Sequence, residues 1–328
     1  MLIQLHTHQY DPFIDFLKGI CILFVVLTHC LPLQDNILFS LWGAQAVPLF
    51  ILIQVFHAYK KGNIDIIRYY NLKKLFHRIL LPFTILLIIQ IFLMRLFSEK
   101  DLSLILKNTM LSGGMGPGSY YIWIYLQLFI LLPVFQLVIN NIKHKYLFVL
   151  FIASSILIEI ICSYSNISSW LYRLLFVRYF FLIYLGYKWV MNGGVKIDKI
   201  TVVLSIISII FILIFEYTDL NMEPIFYQSD WKIFHWISYF YVANLFVYAL
   251  YKCYKRITKR EVICKIGKYS YEIFLIQMFV FTFYPTNTMQ MFIGSIFWAT
   301  ILRILATTFL SIIPVLLYKK YFSKQKHV

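Results

Sequence analysis

Apolar runs long enough to cross a lipid bilayer recur along the whole chain, and they restrict the fold more than any other feature. A membrane-spanning helix needs about 20 predominantly apolar residues. Hydrophobic residues make up 61% of the 328-residue chain, charged residues make up 13%, and the mean hydropathy is +0.76. Soluble domains carry about 25% charged residues. The composition therefore excludes an ordinary soluble domain and predicts a helical membrane protein.

The periodicity predicts an all-α fold, a polytopic transmembrane helical bundle of about ten spans. The predicted spans are 13–33, 37–58, 78–98, 119–139, 146–165, 172–191, 200–217, 233–252, 270–289 and 291–318. Because the linkers between these spans are short, residues 1–328 are predicted to form a single membrane domain with no appended soluble domain. The polar start of the chain has no basic n-region, so we expect no cleavable signal peptide.

Basic residues indicate the orientation of the bundle. The segments that lie on one side of a ten-span topology hold 22 of the 30 lysine and arginine residues. The positive-inside rule assigns that side to the cytoplasm, so both termini are predicted to be cytoplasmic. The net charge of +16 is then a topology signal, and we expect no nucleic-acid partner. The five cysteines have neither metal-site nor disulfide spacing, so no metal is expected.

The first predicted span carries an acid, a base and an imidazole. Lys18 and His29 are 11 positions apart in the sequence, which is within about 20° of three full helical turns, so they share one face. Asp15 lies on nearly the same stripe. The helical rise separates Lys18 from His29 by roughly 16 Å. His29 either accepts a proton from a bound hydroxyl or is hydrogen-bonded within the bundle.

Other ionisable groups inside predicted spans are costly unless they face a partner or a cavity. Glu159 and Arg178 fall at similar depth and could pair with each other. Arg303 lies near the middle of the last span, where it needs a counter-charge or a water-filled cavity.

A basic cluster, Lys73, Lys74 and Arg78, marks the entry to the third span. It either flanks the membrane as ordinary topology residues or binds a phosphate-bearing ligand.

These features, in this order, resemble acyltransferase family 3, the polytopic membrane O-acyltransferases that modify surface polysaccharides and other acceptors. Lys18 and His29 fit the first motif of the family, a basic residue followed by ten residues and a histidine. Residues 43–50, 121–133 and 267–277 are similar to its later motifs, as is the basic entry to the third span.

Three positions depart from those motifs. Phe76 stands where the family usually has a second arginine, and Tyr121 and Gln277 stand where it often has histidine. Lys18 and His29 are not affected by these departures.

The resemblance implies an enzyme of a bacterial plasma membrane that moves an acyl group, most simply acetyl, from cytoplasmic acyl-CoA to a saccharide hydroxyl. No cofactor is expected to be bound permanently, since acetyl-CoA is the donor substrate. The expected partners are acyl-CoA, a glycan or lipid-linked saccharide acceptor, and the lipid bilayer. The main alternative is a transporter or flippase of lipid-linked saccharide, which predicts inverted repeats that the sequence does not show.

The resemblance also implies roles for the candidate residues. His29 would be the general base, Lys18 would bind the donor, and Asp15 would orient Lys18. The basic cluster would bind the nucleotide phosphates of the donor. Further buried polar candidates for the site are Glu159, Arg178, Arg303 and Trp123.

Overall fold

The computed structural model describes residues 1–5, 11–31, 38–60, 62, 71–97, 101–218, 220–228, 233–283 and 296–324. Within these residues, the chain is predominantly helical. In chain order the main elements are β1 (Leu2–Gln4), α1 (Pro12–Cys30), α2 (Ala46–Tyr59), α3 (Leu72–Phe97), α4 (Leu102–Ser112), α5 (Tyr120–Asn141), α6 (His144–Tyr164), α7 (Ser169–Leu174), α8 (Phe180–Met191), β2 (Gly194–Lys196), α9 (Lys199–Tyr217), α10 (Val247–Arg256), α11 (Arg260–Lys268), α12 (Ser270–Phe283) and α13 (Ile296–Lys324).

Short non-α segments complete the described backbone. They are 3-10 turns at Phe39–Leu41, Gly43–Gln45 and Phe176–Tyr179, π-helical turns at Phe76–Leu80 inside α3 and Val242–Phe246 before α10, and one helical turn at Tyr239–Tyr241. The strands β1 and β2 pair antiparallel and join the start of the chain to the segment after α8.

Seven helical segments in the described part of the chain are long and apolar enough to cross a membrane. They are Pro12–Cys30, Phe39–Tyr59, Leu72–Phe97, Tyr120–Asn141, His144–Tyr164, Lys199–Tyr217 and Phe297–Leu317. The predicted all-α membrane class is thus confirmed, whereas the count of about ten spans and the side of the termini stay predictions. The end of the ninth predicted span and the start of the tenth lie outside the described residues.

The sixth predicted span is not one helix, because α7 ends at Leu174 and a 3-10 turn precedes α8. The side chain of Gln127 on α5 fills this break. Its amide nitrogen donates to the Leu174 carbonyl at 2.7 Å, and its oxygen accepts from the Phe176 N–H at 3.0 Å. A broken helix is tolerated in an apolar bundle when its freed backbone groups find such partners.

The helix α1 is central, since it contacts α2, α11, α12 and α13. Asp11 caps its first turn by accepting from the Phe13 N–H at 2.9 Å, and proline follows as the first helical residue. The helix α11 crosses α1 with the two backbones in contact. A Cβ atom on Gly267 would lie 1.7 Å from the Asp15 carbonyl oxygen, so only glycine allows this approach.

The linker between the third and fourth predicted spans contains the helix α4. This helix ends at Ser112, and the next residue, Gly113, has a left-handed φ of 76° that suits glycine. Trp123 donates its indole N–H to the Gly113 carbonyl at 2.6 Å and so fastens the glycine-rich turn to α5. The same turn packs on α12, where a Cβ atom on Gly118 would lie 2.9 Å from the Phe274 ring.

Candidate active site

A cavity of 420 Å³ lies between α1, α2, α5 and α12. Lys18 and His29 both line it, as expected for two residues on one face of α1. The remaining wall is mostly apolar and aromatic, with contributions from Phe50, Tyr121 and Phe274. Lys18 and His29 of the predicted stripe therefore face one cavity, whereas Asp15 is buried and does not line it.

His29 lies at one end of the stripe and is half-buried. Its ring packs edge-on against Phe281 of α12, with 5.6 Å between the centroids. Within the described part of the chain, no residue forms a hydrogen bond with the His29 imidazole. The alternative of an imidazole bonded within the bundle therefore finds no partner among those residues, and the ring nitrogens are available to a ligand.

Arg303 of α13 is close to this end of the cavity. It is 5% exposed, and its guanidinium carbon lies 5.4 Å from the centroid of the Phe281 ring. Its charge acts on His29 and on Cys30. The Phe281 ring thus contacts both the imidazole and the guanidinium, and contact with an aromatic ring stabilises a guanidinium in an apolar setting.

Lys18 lies at the other end of the stripe and pairs with Asp15, with 2.5 Å between the ammonium nitrogen and the carboxylate oxygen. Asp15 is 5% exposed, whereas the Lys18 side chain retains 24% exposure and reaches the cavity. The pair is an i, i+3 contact on one helix turn, which holds the ammonium in a restricted direction.

A second histidine, His57 of α2, also lines the cavity and was not among the predicted site residues. It lies one helical turn from Gln54, which lines the cavity too and donates its side-chain amide to the Tyr125 carbonyl at 3.0 Å. The charges of Lys18, Asp15 and Lys60 act on His57, which places it at the Lys18 end. The sequence feature that could have predicted this position is a glutamine and a histidine three positions apart inside an apolar span, since such residues share one helix face.

None of the three residues of the predicted basic cluster lines the cavity, although Arg78 comes near its wall. Arg78 is exposed on the π-helical turn of α3, and its charge acts on Tyr125 in the cavity wall. Its neighbour Ile79 lines the cavity and accepts a hydrogen bond from the Tyr271 hydroxyl at 2.6 Å. Lys73 and Lys74 are exposed on the preceding turn. Turns of π-helix are frequent at functional sites because they re-aim side chains.

Glu159 belongs to a separate polar cluster, and no residue of that cluster's hydrogen-bonded core lines the cavity. Its carboxylate accepts from the Tyr172 hydroxyl at 3.0 Å and from the Tyr227 N–H at 3.1 Å, and it lies 3.1 Å from Nδ1 of His235. Glu159 and His235 are 3% and 1% exposed. The cluster joins α6 and α7 to the segment after α9.

Arg178 packs between this cluster and the cavity wall. Its guanidinium carbon lies 5.1 Å from the centroid of the Tyr172 ring and 5.5 Å from that of the Phe234 ring. Phe234 in turn lines the cavity. The structure therefore brings Arg178 and Glu159 to the same tyrosine. Trp123 was predicted to be a buried polar candidate, but it is 45% exposed and anchors the glycine-rich turn.

The sequence was compared with models of known protein families. The model described as an acyltransferase domain, Acyl_transf_3, matches residues 11–319, which is nearly the whole chain. The chain belongs to acyltransferase family 3. The predicted resemblance is thereby confirmed, and the seven apolar helical segments make this acyltransferase a multi-pass membrane protein. All cavity-lining residues of the acyltransferase lie inside the matched region. No curated protein and no solved structure matches the sequence significantly.

Proposed function

We propose that this acyltransferase moves an acyl group, most simply acetyl, from acyl-CoA to a hydroxyl of a surface polysaccharide or lipid-linked saccharide. The observation that carries the proposal is that Lys18 and His29 line one cavity of 420 Å³ from opposite ends of the α1 stripe. A cation at one end suits an anionic donor, and an imidazole without a hydrogen bond among the described residues suits a base at the other. Family membership favours acyl transfer over the translocation of a saccharide.

His29 acts as the general base in the proposed reaction. Its unprotonated ring nitrogen takes the proton of the acceptor hydroxyl while the hydroxyl oxygen bonds to the thioester carbonyl carbon. The carbon–sulfur bond then breaks, and the imidazolium returns the proton to the sulfur, which leaves as the thiol of CoA. Base catalysis of this kind contributes about 10² to 10⁴ in rate.

Direct transfer is the simpler route for this site. Cys30 is the nearest thiol in the sequence, but it is 1% exposed, packs with Val26 and Phe281, and does not line the cavity. Neighbouring helix positions also point about 100° apart, so Cys30 faces away from the space that His29 reaches. An acyl-enzyme on Cys30 is therefore not part of the proposal.

The donor occupies the Lys18 end in this proposal. Lys18 binds a phosphate or carbonyl group of the donor, Asp15 orients Lys18, and Arg78 binds the nucleotide phosphates with Lys73 and Lys74 on the approach. The roughly 16 Å between Lys18 and His29 requires a long donor, and the extended arm of CoA carries its thioester far from its phosphates. The predicted topology puts the Lys18 end on the cytoplasmic side.

The proposal can be tested by adding labelled acetyl-CoA to membranes that contain the protein and following the transfer of label. Label should enter the saccharide fraction, and mass spectrometry should find acetyl esters that are absent without the protein. In the same assay, Lys74→Ala with Arg78→Ala should raise the KM for acetyl-CoA by roughly threefold to tenfold, since solvent-accessible charge pairs are individually weak.

The matched control changes two exposed lysines before and within α6, Lys143→Ala with Lys145→Ala, and should leave the KM unchanged. If the double variant changed only the KM for the acceptor and not that for acetyl-CoA, the donor role of the basic cluster would be contradicted. Absence of label from every saccharide would contradict the proposed reaction.

A further inference from the structure

His57 is a polar group in the cavity wall that the proposed reaction does not use. It is exposed to the cavity from α2, next to Phe56, whose ring centroid lies 5.8 Å away. In the described residues neither of its ring nitrogens has a hydrogen-bond partner. A polar atom in a mostly apolar wall loses its interactions with water when a ligand fills the space, unless the ligand replaces them.

The charges around His57 indicate which ligand group would do so. Lys18, Lys60 and Asp15 are the charged groups that act on it. Imidazole presents at least one N–H donor in either protonation state. A hydrogen-bond donor that shares a cavity wall with the Lys18 ammonium suits an anion with several acceptor oxygens, which describes a phosphate.

Position excludes a role for His57 at the reacting bond. His57 lies at the Lys18 end of the cavity, and Lys18 is roughly 16 Å from His29 along the helix. A proton cannot pass directly between groups at that separation, because general bases work at hydrogen-bond distance. His57 is therefore placed to bind the far end of the donor.

We propose that His57 and Lys18 together hold one phosphate of the acyl donor, with His57 donating an N–H hydrogen bond to a phosphate oxygen. This inference rests on the proposed acyl-CoA donor and adds His57 as a residue that binds a phosphate of that donor. His57 then favours donors that carry the phosphate over acyl thioesters that lack it. Lipid headgroups offer the same chemistry, so the test must separate the two sources.

Equilibrium binding to the full-length protein in phosphatidylcholine nanodiscs makes that separation without knowledge of the acceptor. The two probes are labelled acetyl-CoA and acetyl-pantetheine, which keeps the thioester arm and lacks the phosphates. His57→Ala should weaken acetyl-CoA binding by about tenfold to a hundredfold, as expected for a hydrogen bond to a charged group. Acetyl-pantetheine binding should not change. The lipid is the same in both measurements. If His57 bound a lipid headgroup instead, His57→Ala would therefore not affect the two probes differently.

Two further variants keep the test decisive. His57→Gln retains an N–H donor and should recover part of the acetyl-CoA affinity. His144→Ala removes a histidine that stacks on Tyr187 and does not line the cavity, and it should bind both probes as the unchanged protein does.

Equal weakening of both probes by His57→Ala, or no weakening of either, would overturn the role of His57 while leaving the acyl-CoA donor intact. Failure of the unchanged protein to bind acetyl-CoA would instead overturn the proposed function and this inference with it.

Discussion

His29 and His235 both lie inside predicted spans, yet their surroundings differ completely. His235 is 1% exposed, its Nδ1 atom lies 3.1 Å from Glu159, and its ring packs among phenylalanines such as Phe226. His29 faces a cavity and has no hydrogen bond among the described residues. A histidine already engaged with a carboxylate in a packed core stabilises the fold, whereas one open to a cavity can exchange a proton with a ligand.

The same contrast holds for the two carboxylates. Glu159 is bonded on several sides inside the cluster that joins α6, α7 and the segment after α9. Asp15 has its ion pair with Lys18, which reaches the cavity. Changes in the Glu159 cluster should therefore affect stability first, and changes along the Asp15–His29 stripe should first affect turnover or the KM for the donor.

The largest expected effect is on turnover at His29. His29→Ala should lower the acyl-transfer rate by about 10² to 10⁴, because the acceptor hydroxyl loses its base. The amount of protein in the membrane and its unfolding temperature in detergent should stay close to those of the unchanged protein. The measurement is labelled acetyl transfer per mole of protein, with His144→Ala as the control that removes an unrelated histidine. A rate near that of the unchanged protein would remove His29 from the mechanism.

Glu159 provides the opposite expectation. Glu159→Ala leaves the Tyr172 hydroxyl, the Tyr227 N–H and the His235 ring without their buried acceptor, which should cost about 3 to 5 kcal/mol of stability. Thermal unfolding in detergent should show a clear fall in the midpoint. The transfer rate of the protein that remains folded should change only a few-fold.

The matched control is Glu261→Ala, which changes an exposed glutamate on α11. Its unfolding midpoint should equal that of the unchanged protein. If Glu159→Ala instead abolished transfer at unchanged stability, the cluster would belong to the active site.

The smallest effect is expected at the ion pair between Asp15 and Lys18. Asp15→Asn keeps the shape of the side chain but removes the charge that orients Lys18. Since the Lys18 side chain is partly exposed, the KM for acetyl-CoA should rise only about twofold to fivefold. Asp198→Asn is the control, because it weakens an exposed aspartate–lysine pair with Lys196 at 3.3 Å. A lower KM would show that Asp15 competes with the donor for Lys18.

Helical periodicity explains why part of the candidate site could be predicted. Lys18 and His29 belong to one helix, and their angular separation follows from the geometry of that helix alone. The all-α membrane class follows equally from apolar runs, because a bilayer offers no partner to unpaired backbone groups. Neither argument needs knowledge of which helices are neighbours.

Span counting shows where the local argument fails. The sixth predicted span is mostly apolar, and it has no proline or glycine at the break after Leu174. The break is held by Gln127, which comes from another helix and satisfies the two freed backbone groups. A partner almost fifty positions away in sequence cannot be found from a window of local hydropathy.

By itself, the sequence determined the membrane class, the family and the shared face of Lys18 and His29, because each depends on composition, motif order or the pitch of one helix. Only the tertiary structure decided that this face lines a cavity and that His57 of α2 joins it. It also decided that Glu159 and His235 are enclosed with each other. Those outcomes depend on which helix faces pack together, which is a property of the bundle and not of any single span.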